Sequence, residues 1–189
     1  MSFINSSLFS SVVSVIFLSI PVSANVDIES ETLPLARDLL TESRQAACNG
    51  QPLVVMFGSS TCPYCSVVRS LYIAPLMDDE RYPGIVSREL EIDSDERVRD
   101  FSGRLVPMTE LASKYRVTLV PQVMVFGPTG EQAGKPIIGI SSEDFYGYYL
   151  DQAILAGIEM VRQKFTAEAP GSNSSTDVPS VLPGGYVCD

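Results

Sequence analysis

The sequence has no histidine and no tryptophan, and only four of its 189 residues are cysteines. Structural zinc sites usually take four Cys or His ligands, often as two closely spaced pairs. This chain has one such pair, so a zinc site would have to include the distant Cys48 and Cys188. The scarcity of ligands therefore argues against a metal centre, and we expect neither a metal nor another cofactor.

Basic side chains are also scarce, with 13 Lys and Arg residues against 23 Asp and Glu residues and a net charge of −10. Proteins that bind nucleic acid or an anionic membrane surface need clusters of Lys and Arg to contact phosphate groups. We therefore expect no nucleic-acid partner. The charge balance predicts a protein with a soluble, acidic surface.

The first 24 residues contain no charged side chain and end in Val22-Ser23-Ala24. An apolar stretch of about a dozen residues followed by small residues is typical of a secretory signal peptide, here cleaved after Ala24. A membrane-spanning helix needs ~20 mostly apolar residues, whereas this segment is rich in serine. We expect a periplasmic or secreted protein, with membrane anchoring by residues 1–24 as the alternative.

The rest of the chain shows the order helix, strand, helix, strand, helix, strand, strand, helix, judged from apolar spacing and from Pro and Gly positions. The predicted segments are 31–48, 52–57, 66–77 with a kink or end at Pro75, 85–92, 109–115, 119–126, 136–140 and 141–164. The polar stretch 93–104 is expected to be a loop with some helix. Residues 25–165 are thus predicted to form one domain, and the tail 166–189, rich in Ser, Pro and Gly, to be flexible.

Cys62 and Cys65 are separated by two residues and follow closely after the predicted strand 52–57. A cysteine at a helix N-terminus has a lowered pKa, because unpaired amide groups and the helix dipole stabilise its thiolate. Cys65, one turn later, can attack a mixed disulfide formed at Cys62. A purely structural disulfide is the alternative, but so small a loop constrains little of the unfolded chain. The pair is therefore predicted to be redox-active.

The sequence predicts a strand followed by Cys62-Pro63-Tyr64-Cys65 at the start of a helix, and Val120-Pro121 before a strand pair and a last helix. In these features the chain resembles the thioredoxin superfamily, over residues 31–164. The resemblance implies an α/β, thioredoxin-like fold with a central mixed sheet flanked by helices. It also implies that Pro121 is cis, packs beside the two sulfurs and, with Val120, Pro63 and Tyr64, contacts an extended substrate. The alternative for Pro121 is an ordinary trans proline at a strand edge.

Two features differ from thioredoxin itself. Pro63-Tyr64 is the dipeptide of glutaredoxin-type centres, and Met56 occupies the position where thioredoxins bury an acid six residues before the first cysteine. The resemblance is therefore to exported thioredoxin-like proteins with a glutaredoxin-type motif.

Cys48 and Cys188 complete an even cysteine count, which in an oxidising compartment favours a structural disulfide between them. Two alternatives stay open at this point. Cys48 could be a buried free thiol that packs like a small apolar residue, or Cys188 could exchange with the Cys62–Cys65 pair.

These observations predict a periplasmic thiol–disulfide oxidoreductase that reduces, isomerises or forms disulfides in exported proteins, helped by an external redox partner protein. One alternative is a glutathione-dependent, glutaredoxin-like enzyme. It would need Lys or Arg near the motif to hold glutathione's carboxylates, and Arg69 is the only basic residue close by. The other is a non-catalytic thioredoxin-fold binding module in envelope protein assembly.

Overall fold

The computed structural model of the chain describes residues 33–140, 143–168, 181–182 and 186–188. The predicted signal peptide 1–24 and much of the predicted tail 166–189 lie outside these residues. Among the described helices, none combines the length and the apolar character that crossing a membrane requires.

Helices and strands alternate along the chain in the predicted order, with one additional strand pair in the middle and another at the C-terminal end. The helices are α1 (Leu39–Cys48), α2 (Pro63–Val68), α3 (Met108–Lys114) and α4 (Glu143–Glu168). The strands are β1 (Leu53–Gly58), β2 (Val86–Glu91), β3 (Arg97–Arg99), β4 (Leu105–Pro107), β5 (Gln122–Phe126), β6 (Gln132–Ile138), β7 (Val181–Leu182) and β8 (Tyr186–Val187).

The central sheet has the strand order β2-β1-β5-β6. Strand β1 runs parallel to β2 and antiparallel to β5, which in turn runs antiparallel to β6. The predicted mixed sheet is therefore confirmed. Its two central strands are buried along their whole length, which explains why β1 and β5 read as continuous apolar runs rather than as alternating patterns.

A hydrophobic core lies on each face of the sheet, because successive strand residues point to opposite sides. From β1, Val55 and Phe57 enter the core that α1 and α3 cover. Val54 and Met56 enter the other core, which α2 and α4 cover and which contains Cys65. The second cysteine of the pair is thus part of a packed core rather than of a surface loop.

The helix predicted at 31–48 is wrong over residues 33–38. Helix α1 begins only at Leu39, and Asp38 caps it by accepting a 2.9 Å hydrogen bond from the amide of Thr41. The residues directly before Asp38 are extended along β2, where the amide of Glu89 donates to the carbonyl of Pro34 and that of Ala36 donates to the carbonyl of Glu89. Residues before Asp38 therefore pair with the edge of β2 instead of forming the helix that the apolar spacing predicted.

The stretch predicted as a loop with some helix at 93–104 instead contributes β3 and the turn that leads into β4. Asp100 fixes this turn, since its buried carboxylate accepts hydrogen bonds from both the amide and the hydroxyl of Ser102 and from the amide of Arg104. Burial opposes ionisation, but these hydrogen bonds together with the charge of Lys114 lower the pKa of Asp100 to about 2. Strands of three residues are too short for the alternation of apolar and polar residues to be recognised in the sequence.

The prediction that Pro75 interrupts the helix after Cys65 is confirmed. Helix α2 changes into a π-helical turn at Arg69–Ile73 and then into a 3₁₀ turn at Ala74–Asp78, in which Pro75 occupies the first turn. A proline there removes an amide donor that the first turn of a helix does not need. The interruption leaves α2 as a short element whose main feature is the cysteine pair at its start.

Candidate active site

The loop from β1 to α2 carries the first cysteine. The amide of Cys62 donates to the carbonyl of Ser59 at 3.2 Å, which closes a tight turn just before the helix. The hydroxyl of Ser59 donates to a carboxylate oxygen of Asp93 at 2.7 Å and so anchors this turn to the segment that follows β2. The sheet thus fixes the loop from two neighbouring strands.

Cys62 and Cys65 form a disulfide, with their Cα atoms 5.3 Å apart. Cys62 is the N-cap residue of α2, and its Sγ accepts a 3.1 Å hydrogen bond from the backbone amide of Cys65. Such a donor stabilises a thiolate more than a thiol, because hydrogen bonding to the charged form favours that form. The helix start therefore holds the sulfur of Cys62 where a thiolate can be stabilised.

The two cysteines differ in exposure. Cys62 is half-buried, whereas Cys65 is fully buried in the core beneath α2. Pro63 and Tyr64, between them, are both exposed. Because only Cys62 can be reached from outside, an incoming thiol or disulfide must react there, and Cys65 can act only from the protein side.

In the fully reduced protein, alkylation at mildly acidic pH should label Cys62 before Cys65, since Cys62 is both more accessible and better placed to ionise. Peptide mass spectrometry of a time course measures the order. A variant with both Cys48 and Cys188 changed to serine serves as the control, because it removes the other two thiols from the count. Faster labelling of Cys65 would contradict the assignment.

The segment before β5 is the second part of the predicted site. The Val120–Pro121 peptide bond is cis, in agreement with what the resemblance implied. Val120 packs against the same core cluster as Cys62 and Cys65, and Leu119 before it is exposed. The structure therefore brings the two predicted segments to one region. Substrate binding by Val120, Pro121, Pro63 and Tyr64 stays a prediction.

An ion pair that the sequence reasoning missed lies beside the cysteine helix. Arg69 donates from Nε and Nη2 to the two carboxylate oxygens of Glu89, at 2.7 and 2.6 Å. The hydrogen bonds to Glu89 are the largest cause that raises the pKa of Arg69, and they outweigh the effect of burial. Local sequence carries no signal for this pair, because a charged residue in the predicted strand 85–92 ordinarily indicates an exposed position. The motif by itself suggests for Arg69 only the role of a glutathione ligand.

Cys48 and Cys188 are joined by a disulfide, with their Cα atoms 5.5 Å apart. The bond places the β7–β8 strand pair against the end of α1, where Tyr186 packs with Ala47 and Val161. The guanidinium of Arg44 lies over the ring of Tyr186 at 5.6 Å. In this structure Cys48 is therefore not a free thiol, and Cys188 is bonded to Cys48 rather than to the active-site pair.

Comparison with known proteins agrees with this geometry. Residues 41–154 match the family model described as a thioredoxin-like domain, which covers more than half of the chain. No curated protein matches the sequence.

Three solved structures are among those to which the chain is similar. Oxidized mitochondrial thioredoxin 3 from Saccharomyces cerevisiae is 21% identical over 67% of this chain and 97% of its own, with a TM-score of 0.44. Thioredoxin from Schistosoma mansoni is 18% identical over 67% and 94%, with a TM-score of 0.42. The reduced periplasmic thioredoxin SoxS from Paracoccus pantotrophus is 17% identical over 56% and 97%, with a TM-score of 0.40.

The matched region 41–154 includes the β1–α2 junction, both of its cysteines and the cis bond before β5. The fold, the position of the Cys62–Cys65 disulfide and the family match therefore agree. The chain belongs to the thioredoxin-like domain family and is a thiol–disulfide oxidoreductase, with its Cys62–Cys65 disulfide at the start of the second helix.

Proposed function

We propose that this protein is an exported oxidoreductase that exchanges its Cys62–Cys65 disulfide with the cysteines of exported proteins. One observation carries the proposal: the partly exposed Cys62, whose sulfur accepts a hydrogen bond from the amide of Cys65, is bonded to the fully buried Cys65. A thiol pair used only for structure has no need of this difference in access. It is the arrangement that a two-step exchange requires.

In the reductive direction, the Cys62 thiolate attacks one sulfur of a substrate disulfide. A bond forms between Cys62 and that sulfur, the substrate disulfide breaks, and the released thiolate takes up a proton. Cys65 then loses its proton and attacks Cys62, which closes the Cys62–Cys65 disulfide and frees the second substrate thiol. Two electrons pass to the substrate, and a partner dithiol must return them. The same steps in reverse form a disulfide in the substrate.

Support for a polypeptide substrate comes from the two exposed segments that border the site. Tyr64 follows Cys62 by two residues and Leu119 precedes the cis bond by one, and both present largely exposed apolar side chains. Exposed apolar side chains beside a reactive sulfur suit a chain that binds in an extended form. A small, highly charged ligand would gain little from them.

Support for export comes from the second disulfide as well as from the apolar start of the sequence. Disulfides persist in the periplasm and outside the cell, and are rare in the reducing cytosol. The Cys48–Cys188 bond joins residues 140 positions apart and packs into a cluster with Phe165 and Tyr186. A bond of this kind fits a compartment that keeps it oxidised.

The glutathione-dependent alternative rests on the Pro63-Tyr64 dipeptide and gains no support from Arg69. Arg69, the basic residue nearest the motif, directs two of its nitrogens at Glu89. A residue committed in this way to a half-buried ion pair is poorly placed to hold the carboxylates of glutathione at the surface.

The test is catalysis of disulfide exchange on a defined protein. Catalytic amounts of the wild-type protein should accelerate the reduction of insulin by dithiothreitol, followed as precipitation of the released chain. Reoxidation of a reduced, unfolded protein in a glutathione buffer measures the opposite direction. The matched control is the same protein reduced and alkylated at Cys62. The proposal is wrong if neither reaction runs faster with the unmodified protein than with the alkylated one.

A further inference from the structure

The Arg69–Glu89 ion pair connects the cysteine helix to the sheet on the buried side of the site. The backbone amide of Arg69 donates to the carbonyl of Cys65, so the cation is attached one helical turn after the second cysteine. The side chains of Arg69 and Glu89 are only 24% and 5% exposed. Glu89 stands opposite Met56 in the parallel pairing of β1 and β2, on the face that carries Cys65.

The Glu89 carboxylate also reaches the end of β1. A Cβ atom at Gly58 would lie 2.4 Å from its Oε1, well inside contact distance. In its position beside Arg69, the carboxylate uses the space that glycine leaves at position 58, and it lies against the strand end that leads into the Cys62 loop. The guanidinium of Arg69 is thus attached one turn after Cys65, and the carboxylate of Glu89 lies against the end of β1, before Cys62.

We propose that Arg69 and Glu89 form a neutral positioning pair: Glu89 balances the charge of Arg69, and so keeps this cation from shifting the redox equilibrium of Cys62 and Cys65 toward the reduced form. This inference rests on the proposed function. A nearby cation stabilises a thiolate and a nearby anion destabilises it. Held together by two hydrogen bonds, the two charges largely cancel. Removing one of them leaves the other unbalanced on the face of the sheet that carries Cys65, where the protein interior screens charge weakly.

The sign of the effect follows from the exchange reaction with glutathione. The oxidised protein and two glutathione molecules give the dithiol protein and one molecule of glutathione disulfide. The dithiol form alone can carry a thiolate, so any change that stabilises a thiolate shifts the equilibrium toward the reduced protein. Glu89→Gln removes the negative charge and keeps an acceptor that holds Arg69 in place. Arg69, still near the charge of Glu91 but no longer in an ion pair with Glu89, should then favour the reduced form.

The experiment measures that equilibrium constant at pH 7 in glutathione buffers, with the protein otherwise intact. Glu89→Gln should raise it on the order of tenfold, which is ~30 mV for a two-electron couple. The double variant Glu89→Gln/Arg69→Met should return to within about twofold of the wild-type constant, because the cation is then absent as well. If lost packing caused the change in the equilibrium constant, adding Arg69→Met, which removes further contacts, would not reverse it.

A closely matched control exists on the other face of the sheet. Arg88 directly precedes Glu89 in β2 and donates from Nε to Glu42 at 2.8 Å, with side-chain exposures of 19% and 10%. Glu42→Gln removes the negative charge of a comparable, largely buried ion pair on the face away from the cysteines and likewise keeps an acceptor. Its equilibrium constant with glutathione should stay within about twofold of the wild-type value, since screening and distance weaken the effect of a remote charge.

The outcomes separate this inference from the proposed function. If the wild-type protein neither exchanges with glutathione nor accelerates the reduction of insulin, both fail. If it exchanges but Glu89→Gln leaves the constant unchanged or lowers it, only the role of the ion pair is overturned. That role is also overturned if Glu42→Gln shifts the equilibrium constant by the same amount as Glu89→Gln. It is overturned as well if the double variant has the same constant as Glu89→Gln. Should the double variant not fold, the comparison of Glu89→Gln with Glu42→Gln decides.

Discussion

Changing Cys62 to serine is expected to abolish disulfide exchange, whereas changing Cys65 to serine should stop the reaction halfway. The serine hydroxyl at position 62 stays protonated near neutral pH and cannot replace a thiolate as the nucleophile. With Cys65→Ser, Cys62 still reacts from its accessible position, but no buried thiol lies beneath it to resolve the mixed disulfide. Insulin reduction measures the loss of turnover in both variants, and intact mass spectrometry detects the trapped Cys62 adduct.

The control for both variants is the protein in which Cys48 and Cys188 are serines. It lacks the other disulfide but keeps the whole site, so it should retain turnover at a temperature where it is folded. A Cys62→Ser protein that accumulates a mixed disulfide at Cys65 would contradict the proposed order of attack. So would a Cys65→Ser protein that turns over at the wild-type rate.

Removing the Cys48–Cys188 bond should cause the largest loss of stability that any single cross-link in this chain can give. The bond closes a loop of 140 residues, and in the chain-entropy model such a loop contributes about 5 kcal/mol to the free energy of unfolding. Native domains are stable by roughly 5–15 kcal/mol in total. The loss would therefore be a third or more of the stability of an ordinary domain.

Denaturant unfolding under oxidising conditions measures this loss for Cys48→Ser, for Cys188→Ser and for the double variant. Each single change removes the same bond, so all three should lose similar amounts rather than amounts that add. A loss below about 1 kcal/mol would contradict the estimate, which counts the restriction of the unfolded chain as the main effect. Loss confined to Cys48→Ser would indicate that packing of its side chain, not the cross-link, is what matters.

The sequence alone was enough to find the reacting pair, because strand, turn and helix lie next to one another along the chain. A buried strand is recognisable as an apolar run, and a helix that starts at its end must present Cys62 at the N-terminus and Cys65 one turn inside. The mixed sheet and the cis bond before Pro121 were implied by the resemblance to thioredoxins, which Cys62-Pro63-Tyr64-Cys65 and Val120-Pro121 carry together. The signal for the reacting pair itself lies in residues only a few positions apart.

The features that only the tertiary structure decided depend on residues far apart in sequence. The segment before Asp38 carries a helical pattern but pairs with β2, since a strand edge there offers free donors and acceptors that local spacing cannot reveal. Sequence permitted the Cys48–Cys188 bond without requiring it, because the intervening chain is long enough to allow several pairings. Whether two cysteines bond depends on where packing brings them.

The Arg69–Glu89 ion pair is a further feature that local sequence could not predict. Arg69 and Glu89 are 20 positions apart, and a charged side chain in a strand ordinarily predicts an exposed face. Glu89 instead points into the core, where burial is tolerable only because Arg69 neutralises it and Gly58 leaves room for it. The sequence determined which sulfurs react, whereas the fold decided which charges stand beside them, because charges interact through space and not along the chain.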